Sequence, residues 1–293
     1  MVTPPILHRN WAKPYERITD GYSLEITAKD EGALIEAAPM IAAETPVAIT
    51  FLPGEAVVPR VKAAATVRAF GFEPMPHFSA RRIRSEEDFR HYLHAVVKEA
   101  DVRRCFVVAG DPVVPEGSFA DTSALLATGA FEETGIQAIG IGGHPEGHPH
   151  MSRAQCWDVL HTKIADIEGR GMAPLIVTQF SFDADLVLDW LAEARRQGIA
   201  APVRIGVPGP AGVKTLVKFA RYCGVGASTA VLRKYGVSLA GLVGKAGPDK
   251  LVSQLEAGID AQHGPVRLHF YPFGGVEKTV EWIRRFASET IRE

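Results

Sequence analysis

The sequence predicts a single (β/α)8 barrel, a TIM barrel with extra helices between its seventh and eighth strands, and three observations support this class. The chain has 293 residues, and eight strand–helix units typically need about 250 residues. Short apolar runs alternate with longer stretches of helical period, which is the pattern of parallel β/α units. The first apolar run is not followed by a glycine-rich turn, as a doubly wound nucleotide-binding sheet would normally require.

Eight apolar runs are the candidate barrel strands. Most of them are nearly continuous in apolar residues, which is typical of strands that are covered on both faces. In chain order they are Tyr22–Ile26, Val47–Phe51, Phe72–His77, Cys105–Ala109, Ile136–Ile141, Pro174–Gln179, Val203–Val207 and Val266–Tyr271.

Stretches of helical period separate these runs. They include Ser85–Glu99, Arg153–Glu168, Ala184–Gln197, Val213–Tyr222 and Pro248–Gln262. Residues 208–264 are long for one strand-to-strand connection, so this segment predicts extra helices and not a second domain. We therefore expect residues 1–293 to form one barrel domain, with residues 1–21 as an N-terminal extension.

Composition and charge limit the binding partners and the cellular location that we expect for the protein. Hydrophobic residues make up 46% and charged residues 23% of the chain, which is typical of a soluble globular protein. A formal net charge of -2 provides no broad basic field, which argues against a nucleic-acid partner. Three widely spaced cysteines suit reduced thiols in the cytoplasm. The first 21 residues contain no apolar stretch suited to a signal peptide or membrane span, so we expect a cytoplasmic protein without membrane contact.

Self-association is left open by the pattern of one predicted helix. Its apolar positions Leu186, Val187, Trp190 and Leu191 fit either the core or an interface between copies in a homo-oligomer. Periodicity alone does not separate these two environments.

Polar residues stand at or near the carboxyl ends of the predicted strands, where the active sites of such barrels lie. They are Glu25, Thr50, His77, Asp111, His144, His148, Gln179 and His269. This set is where we expect the chemistry of the protein.

Two carboxylates in this set are candidates for catalysis. Glu25 lies within an apolar strand, where an ionised carboxylate is costly to bury, so it is a candidate proton donor. The alternative is an ion pair with a lysine or arginine inside the barrel. Asp111 follows Gly110, whose backbone freedom permits the close approach of a ligand. Its alternative is a helix cap or a turn former.

Three histidines, His144, His148 and His150, lie within seven residues, and neutral imidazoles are common zinc ligands. The spacing matches no recognised zinc pattern, and the prolines between them prevent a helix that would align His144 with His148. We therefore predict histidines that contact a ligand or form hydrogen bonds, and no metal.

Taken together and in order, the motifs resemble the methylenetetrahydrofolate reductase family along nearly all of the chain. The matching residues are Glu25, Thr50, Pro76–His77, Gly110–Asp111, Pro145–Glu146, His148–Pro149, Lys163, Thr178–Asp183, Lys218–Phe219 and His269–Tyr271. Each motif alone is weak evidence for the family, whereas the occurrence of all of them in the same order is specific to it.

The resemblance implies an oxidoreductase that converts 5,10-methylenetetrahydrofolate to 5-methyltetrahydrofolate, with NADH or NADPH as the hydride donor and a tetrahydrofolate derivative as partner. It implies catalytic roles for Asp111 and for Glu25, the latter as general acid. The implied substrate-binding residues are Thr50, His77, Gln179, Phe219 and His269. The implied cofactor-binding residues are Ala109, His144, His148 and Lys163.

The chain departs from the flavin-containing members of that family at four positions. Those members usually carry an arginine where this chain has Ala109 and a tyrosine where it has His144. The aspartate and arginine that hold their flavin correspond to Cys156 and Thr162. Both arginines, the planar donors best suited to a diphosphate, are therefore missing. The chain thus resembles the flavin-independent members, in which the nicotinamide passes hydride directly to the folate, and bound FAD is not expected.

Three other functions remain open on the sequence. A folate-binding methyltransferase barrel would need a pterin site but no acid within the first strand. A non-catalytic folate-binding protein would bind folate without oxidising a nicotinamide. A zinc hydrolase would depend on the histidine cluster and on bound metal.

Overall fold

The structure is a computed structural model that describes residues 17–226, 235 and 245–289. Eight parallel strands close into a barrel in which sequence neighbours pair and the last strand pairs with the first. They are β1 Ser23–Ile26, β2 Pro46–Ile49, β3 Glu73–Ser79, β4 Arg104–Val108, β5 Ala138–Gly143, β6 Ala173–Phe180, β7 Val203–Pro208 and β8 Val266–Tyr271. All eight predicted strands are confirmed, and no boundary differs by more than two residues.

Helices follow the strands on the outside of the barrel. They are α1 Glu31–Ala37, α2 Val57–Ala69, α3 Glu86–Ala100, α4 Thr122–Leu126, α5 Ala130–Glu133, α6 Arg153–Gly169, α7 Ala184–Arg196, α8 Val213–Tyr222, α9 Asp249–Gly258 and α10 Val276–Glu289. Short 3-10 turns occupy Ala28–Asp30, Ala38–Met40, Ala80–Arg82 and Ala261–His263. Side-chain caps define several helix starts, as at α3, where the Ser85 hydroxyl accepts the Asp88 amide at 3.0 Å.

The connection between β7 and β8 contains α8 and α9, so the predicted extra helices are confirmed. A two-stranded antiparallel ribbon also pairs Ala211–Gly212 with Lys245–Ala246. The helix predicted over residues 248–262 is shorter than expected, because Ile259 adopts extended backbone and ends α9. Residues 1–16 of the predicted N-terminal extension, and residues 227–234 and 236–244, lie outside the described residues.

Two hydrophobic clusters explain how the barrel is filled. The larger one lies between the strands and the helices and includes Leu24 and Ile26 of β1. The smaller one fills the barrel interior with Ala48, Met75, Phe106, Leu175 and Val177. Side chains alternate along a strand, and Glu25 pairs in register with Ala48. Glu25 therefore faces the interior while its two neighbours on the strand face the helices.

The apolar face of α7 belongs mainly to the larger cluster. Val187, Trp190 and Leu191 are buried in it, whereas Leu186 is exposed. Three of the four positions that suited either core or interface are thus core. Among the described residues, no helix is both long and apolar enough to cross a membrane.

Candidate active site

Glu25 projects into the barrel with 19% of its side chain exposed. Its Oε2 lies 3.6 Å from His77 Nε2 and 3.7 Å from His269 Nε2. Within the described residues, the basic groups within 4.0 Å of the Glu25 carboxylate are these two imidazoles, and not the lysine or arginine of the alternative interpretation. The structure thus brings three predicted site residues from β1, β3 and β8 to one point.

His77 is enclosed by the barrel wall and tilts against Phe106, with ring centroids 4.7 Å apart. Burial lowers the pKa of His77 to about 4, and the nearby His269 adds to this effect while Glu25 opposes it. His77 is therefore neutral near neutral pH. It lies 3.6 Å from Glu25 as a neutral imidazole and not as a counter-ion.

His269 is held in place by Ser23, a residue that the sequence analysis did not select. Its Nδ1 lies 2.8 Å from the Ser23 hydroxyl oxygen, and Ser23 is fully buried. Ser23 stands two residues before Glu25 on the same strand and so shares its face. That spacing is a local signal that could have identified Ser23. The hydroxyl orients the His269 ring so that its other nitrogen faces Glu25.

Asp111 lies at the mouth of the barrel with 67% of its side chain exposed. Its Oδ2 accepts hydrogen bonds from Arg82 Nη2 at 3.1 Å and from the Tyr222 hydroxyl at 3.2 Å. Both donors are side-chain groups, whereas a helix-capping aspartate would accept hydrogen bonds from backbone amides. Arg82 and Tyr222 are 29 and 111 residues away along the chain, and no local pattern points to either of them.

Cys223 connects the two carboxylates electrostatically. Burial raises the pKa of the Cys223 thiol to about 11, with further contributions from the charges of Glu25 and Asp111. The Cys223 thiol thus lies within electrostatic range of both Glu25 and Asp111. Burial, followed by Glu25, also raises the pKa of Tyr271 well above its ordinary value, and its hydroxyl donates to the Thr178 carbonyl at 3.1 Å.

Gln179 is placed by an irregularity in β6. The register between β6 and β7 shifts between Val177 and Phe180, and such shifts re-aim side chains. At this point the Gly206 amide donates to the Thr178 hydroxyl oxygen at 2.8 Å. The Gln179 side chain is half-buried, and its Oε1 accepts the Phe180 amide at 3.0 Å. Its amide nitrogen takes no part in that contact.

Thr50 and Phe219 are two further residues that the sequence predicts to bind the substrate. The Thr50 hydroxyl is buried and has no hydrogen-bond partner within the described part of the chain. Phe219 stacks on Phe273 with ring centroids 4.1 Å apart and planes at 11°. Phe273 in turn packs against Phe180 and Tyr271. These four rings form a continuous aromatic cluster.

The predicted cofactor-binding residues, apart from Ala109, lie together. Burial lowers the pKa of His144 to about 4, with smaller contributions from His148 and Lys163. The His144 and His148 rings meet edge to face at 4.9 Å. Burial also lowers the pKa of Lys163. Among the described residues, no three His, Cys, Asp or Glu side chains are placed to hold a metal ion.

A separate cavity of about 380 Å³ lies between the loops that follow β2 and β3. The Arg60 guanidinium packs there over Phe51 and Tyr92, at 3.6 and 4.3 Å from the ring centroids. The charged lining residues are Glu55, Arg60, Arg82, Arg84, Asp88 and Glu116. Three cations thus face three carboxylates, and the charges of the lining balance.

Fold and site together define a (β/α)8-barrel protein with a polar interior site at the carboxyl ends of its strands. Among solved structures it is similar to dihydropteroate synthase (FolP) from Thermus thermophilus, with a TM-score of 0.51 and 14% identity over 93% of this chain and 94% of that chain. A 3-dehydroquinate dehydratase from Geobacillus kaustophilus gives a TM-score of 0.46 and 11% identity over 93% of each chain. At 14% identity, the similarity to dihydropteroate synthase shows a shared fold alone.

The methylenetetrahydrofolate reductase family model matches residues 26–274. The chain belongs to the methylenetetrahydrofolate reductase family. The match includes Asp111, Gln179 and His269 and begins one residue after Glu25. The match therefore covers the strands that follow Glu25 and not Glu25 itself.

Proposed function

We propose that this protein reduces 5,10-methylenetetrahydrofolate to 5-methyltetrahydrofolate, with NADH or NADPH as the hydride donor and Glu25 as the general acid. The observation that carries this proposal is the position of Glu25 in the barrel interior, with its Oε2 close to two imidazoles. One of them, His77, is neutral near neutral pH because burial lowers its pKa to about 4. An enclosed carboxyl group without a lysine or arginine partner among the described residues suits proton donation.

The first chemical step is the opening of the five-membered ring of the substrate. Glu25 donates a proton to a ring nitrogen, the carbon–nitrogen bond breaks, and an electrophilic iminium remains on the folate. The Asp111 carboxylate stabilises this developing cation. Asp111 and Gln179 also complement the exocyclic amine and the amide-like edge of the pterin through hydrogen bonds.

The proton that Glu25 loses has to be replaced before the next turnover. His269 Nε2 lies 3.7 Å from Glu25 Oε2, so a small movement brings the two groups within hydrogen-bond distance. Ser23 holds the opposite ring nitrogen at 2.8 Å. His269 is thus oriented to return a proton to the carboxylate.

His144, His148 and Lys163 are the residues that would hold the nicotinamide. A neutral imidazole can both donate and accept a hydrogen bond, which suits a carboxamide. His144 has this character near neutral pH because burial lowers its pKa to about 4. When bound, the reduced nicotinamide supplies the hydride that converts the iminium to a methyl group and is itself oxidised.

The positions that correspond to flavin-binding residues do not fit a flavin diphosphate. Ala109 and Cys156 provide no cation, and the Thr162 hydroxyl donates to the Asp158 carbonyl of its own helix at 2.8 Å. The Ala109 carbonyl accepts the Arg81 amide at 2.8 Å. The lack of a cation at Ala109, Cys156 and Thr162 supports direct hydride transfer from the nicotinamide to the folate, without a flavin.

The test combines a spectrum with an assay on the same purified protein. We expect no flavin absorbance, together with oxidation of NADH or NADPH that depends on methylenetetrahydrofolate. A stoichiometric flavin would contradict direct hydride transfer. Absence of turnover with both nicotinamides would contradict the reductase and would favour the methyltransferase or the binding protein.

The general acid is tested by Glu25→Gln, which keeps the shape of the side chain but removes its acidic proton. We expect kcat to fall by about 10²–10⁴-fold, the usual range for loss of a general acid, with little change in folate binding. Glu36→Gln, at an exposed position of α1, is the matched control. A Glu25→Gln enzyme that retains the rate of this control would refute the assignment.

A further inference from the structure

Asp111 is ordered by two side chains although it lies on the exposed rim. Arg82 Nη2 and the Tyr222 hydroxyl both donate to Oδ2, at 3.1 and 3.2 Å. Neither contact uses Oδ1. An exposed aspartate without such contacts would exchange between rotamers. Two donors on one oxygen select one orientation of the carboxylate and direct its second oxygen elsewhere.

Arg82 is itself held firmly by the backbone around it. It ends the 3-10 turn Ala80–Arg82, and its side chain is only 12% exposed. The Arg81 amide donates to the Ala109 carbonyl at 2.8 Å, and the Glu116 amide donates to the Arg81 carbonyl at 2.7 Å. The turn that carries Arg82 is therefore tied on both sides to the segment that carries Asp111.

Tyr222 reaches Asp111 from the opposite side of the barrel mouth. It is the last residue of α8, and 71% of it is exposed. Leu216 and Ala220 anchor this helix in the core. The negative charge of Asp111 is the main cause that raises the pKa of Tyr222. The hydroxyl therefore stays protonated and continues to donate to Asp111 near neutral pH.

We propose that Arg82 and Tyr222 are positioning residues that hold Asp111 so that its Oδ1 meets the pterin and the cation that develops on the folate. This inference rests on the proposed function, in which Asp111 contacts the folate. Arg82 supplies a charge-assisted hydrogen bond from a nearly buried guanidinium, and Tyr222 supplies a weaker one from the solvent side. Neither residue touches the reacting atoms.

The variants Arg82→Gln and Tyr222→Phe test the proposal in steady-state kinetics. We expect the KM for methylenetetrahydrofolate to rise about tenfold in Arg82→Gln and about threefold in Tyr222→Phe. The KM for the nicotinamide should not change, which separates positioning from a general structural defect. Arg82→Lys keeps the charge but not the planar guanidinium, and should recover part of the loss.

Arg84→Gln is the matched control for Arg82→Gln. Arg84 lies two residues away, is 80% exposed, and lies 4.0 Å from the same Glu116 that approaches Arg82 at 3.8 Å. Its ion-pair contact is with Glu116 and not with Asp111. We expect Arg84→Gln to retain wild-type kinetics. If Arg82→Gln and Tyr222→Phe behave like this control in an active enzyme, the positioning role is wrong while the reductase stands.

A double-mutant cycle gives the sharper result, because coupled residues are not additive. In an Asp111→Asn background, Arg82→Gln should cause little further loss. Full additivity would overturn the proposal. If the wild-type protein oxidises neither nicotinamide, the proposed function fails, and binding of 5-methyltetrahydrofolate to the same variants decides the positioning role. About tenfold weaker binding by Arg82→Gln, with Arg84→Gln unchanged, supports that role, whereas equal binding by all of them overturns it.

Discussion

At the scale of single residues, the position of Asp111 depends on the glycine before it. Gly110 has a φ of +93°, a conformation that residues with a side chain rarely adopt. A Cβ added at Gly110 would lie 2.1 Å from the Ser79 hydroxyl oxygen. The backbone can thus turn from β4 toward the rim, and carry Asp111 to Arg82, only where no side chain is present.

Gly110→Ala should therefore combine backbone strain with a steric clash. We expect the free energy of unfolding to fall by about 1–3 kcal/mol and the KM for the folate to rise as Asp111 moves. Urea denaturation and steady-state kinetics measure the two effects. Gly171→Ala is the control, since Gly171 has a φ of +77° but no atom within 4 Å of an added Cβ. Equal losses of unfolding free energy in the two variants would mean that the Ser79 side chain moves away from the added methyl group without a cost in stability.

At the scale of secondary structure elements, the junction of β6 and β7 determines where Gln179 lies. The Thr178 hydroxyl is fully buried and accepts the Gly206 amide at 2.8 Å. A Cβ added at Gly206 would lie 2.5 Å from the Thr178 carbonyl oxygen. The side-chain contact thus takes the place of a regular ladder bond where the register shifts, and Gln179 is the next residue along.

Thr178→Val should disturb this junction while keeping the side-chain volume. The Gly206 amide would lose its acceptor, and an unsatisfied buried donor costs about 1–3 kcal/mol. We expect lower stability in urea and a higher KM for the folate, because Gln179 is no longer held. Thr122→Val is the control, since the Thr122 hydroxyl is buried and finds no partner among the described residues. That variant should be neutral or stabilising, and a loss as large as that of Thr178→Val would contradict the argument.

At the scale of the whole molecule, buried imidazoles make stability depend on pH. Burial lowers the pKa of His77, and also that of His144, to about 4 in the folded protein, whereas an unfolded histidine has a pKa of about 6.5. Above about pH 6.5, these two histidines are mostly neutral in both the folded and the unfolded protein. As the pH falls from about 6.5 toward 4, the unfolded state binds protons first, and the free energy of unfolding decreases.

His77→Asn should flatten this pH dependence. The shift at His77 corresponds to a loss of at most about 3 kcal/mol across that window. Urea denaturation of wild type and variant between about pH 6.5 and about pH 4.5 measures the difference in slope. His94→Asn, at an exposed position of α3, should keep the wild-type slope. Parallel slopes for wild type and His77→Asn would show that the buried imidazole does not dominate acid sensitivity.

The pattern of amino acids alone specifies the barrel and most of its polar end. Apolar runs and helical periods are local properties, and for that reason the predicted bounds of the eight strands agree with the structure to within two residues. Glu25, His77, Asp111, Gln179 and His269 could each be selected because they stand at or near the carboxyl ends of those strands. The order of the same motifs predicts the family, and the match over residues 26–274 confirms it.

Closure of the barrel decides which of these residues meet. It brings Ser23 to His269 across 246 residues of chain and Tyr222 to Asp111 across 111 residues. Arg82, Tyr222 and Cys223 could not be selected from the sequence, because their surroundings consist of side chains from distant strands and loops. Local patterns determine what each segment becomes, whereas contacts, burial and pKa shifts depend on how the closed barrel places those segments together.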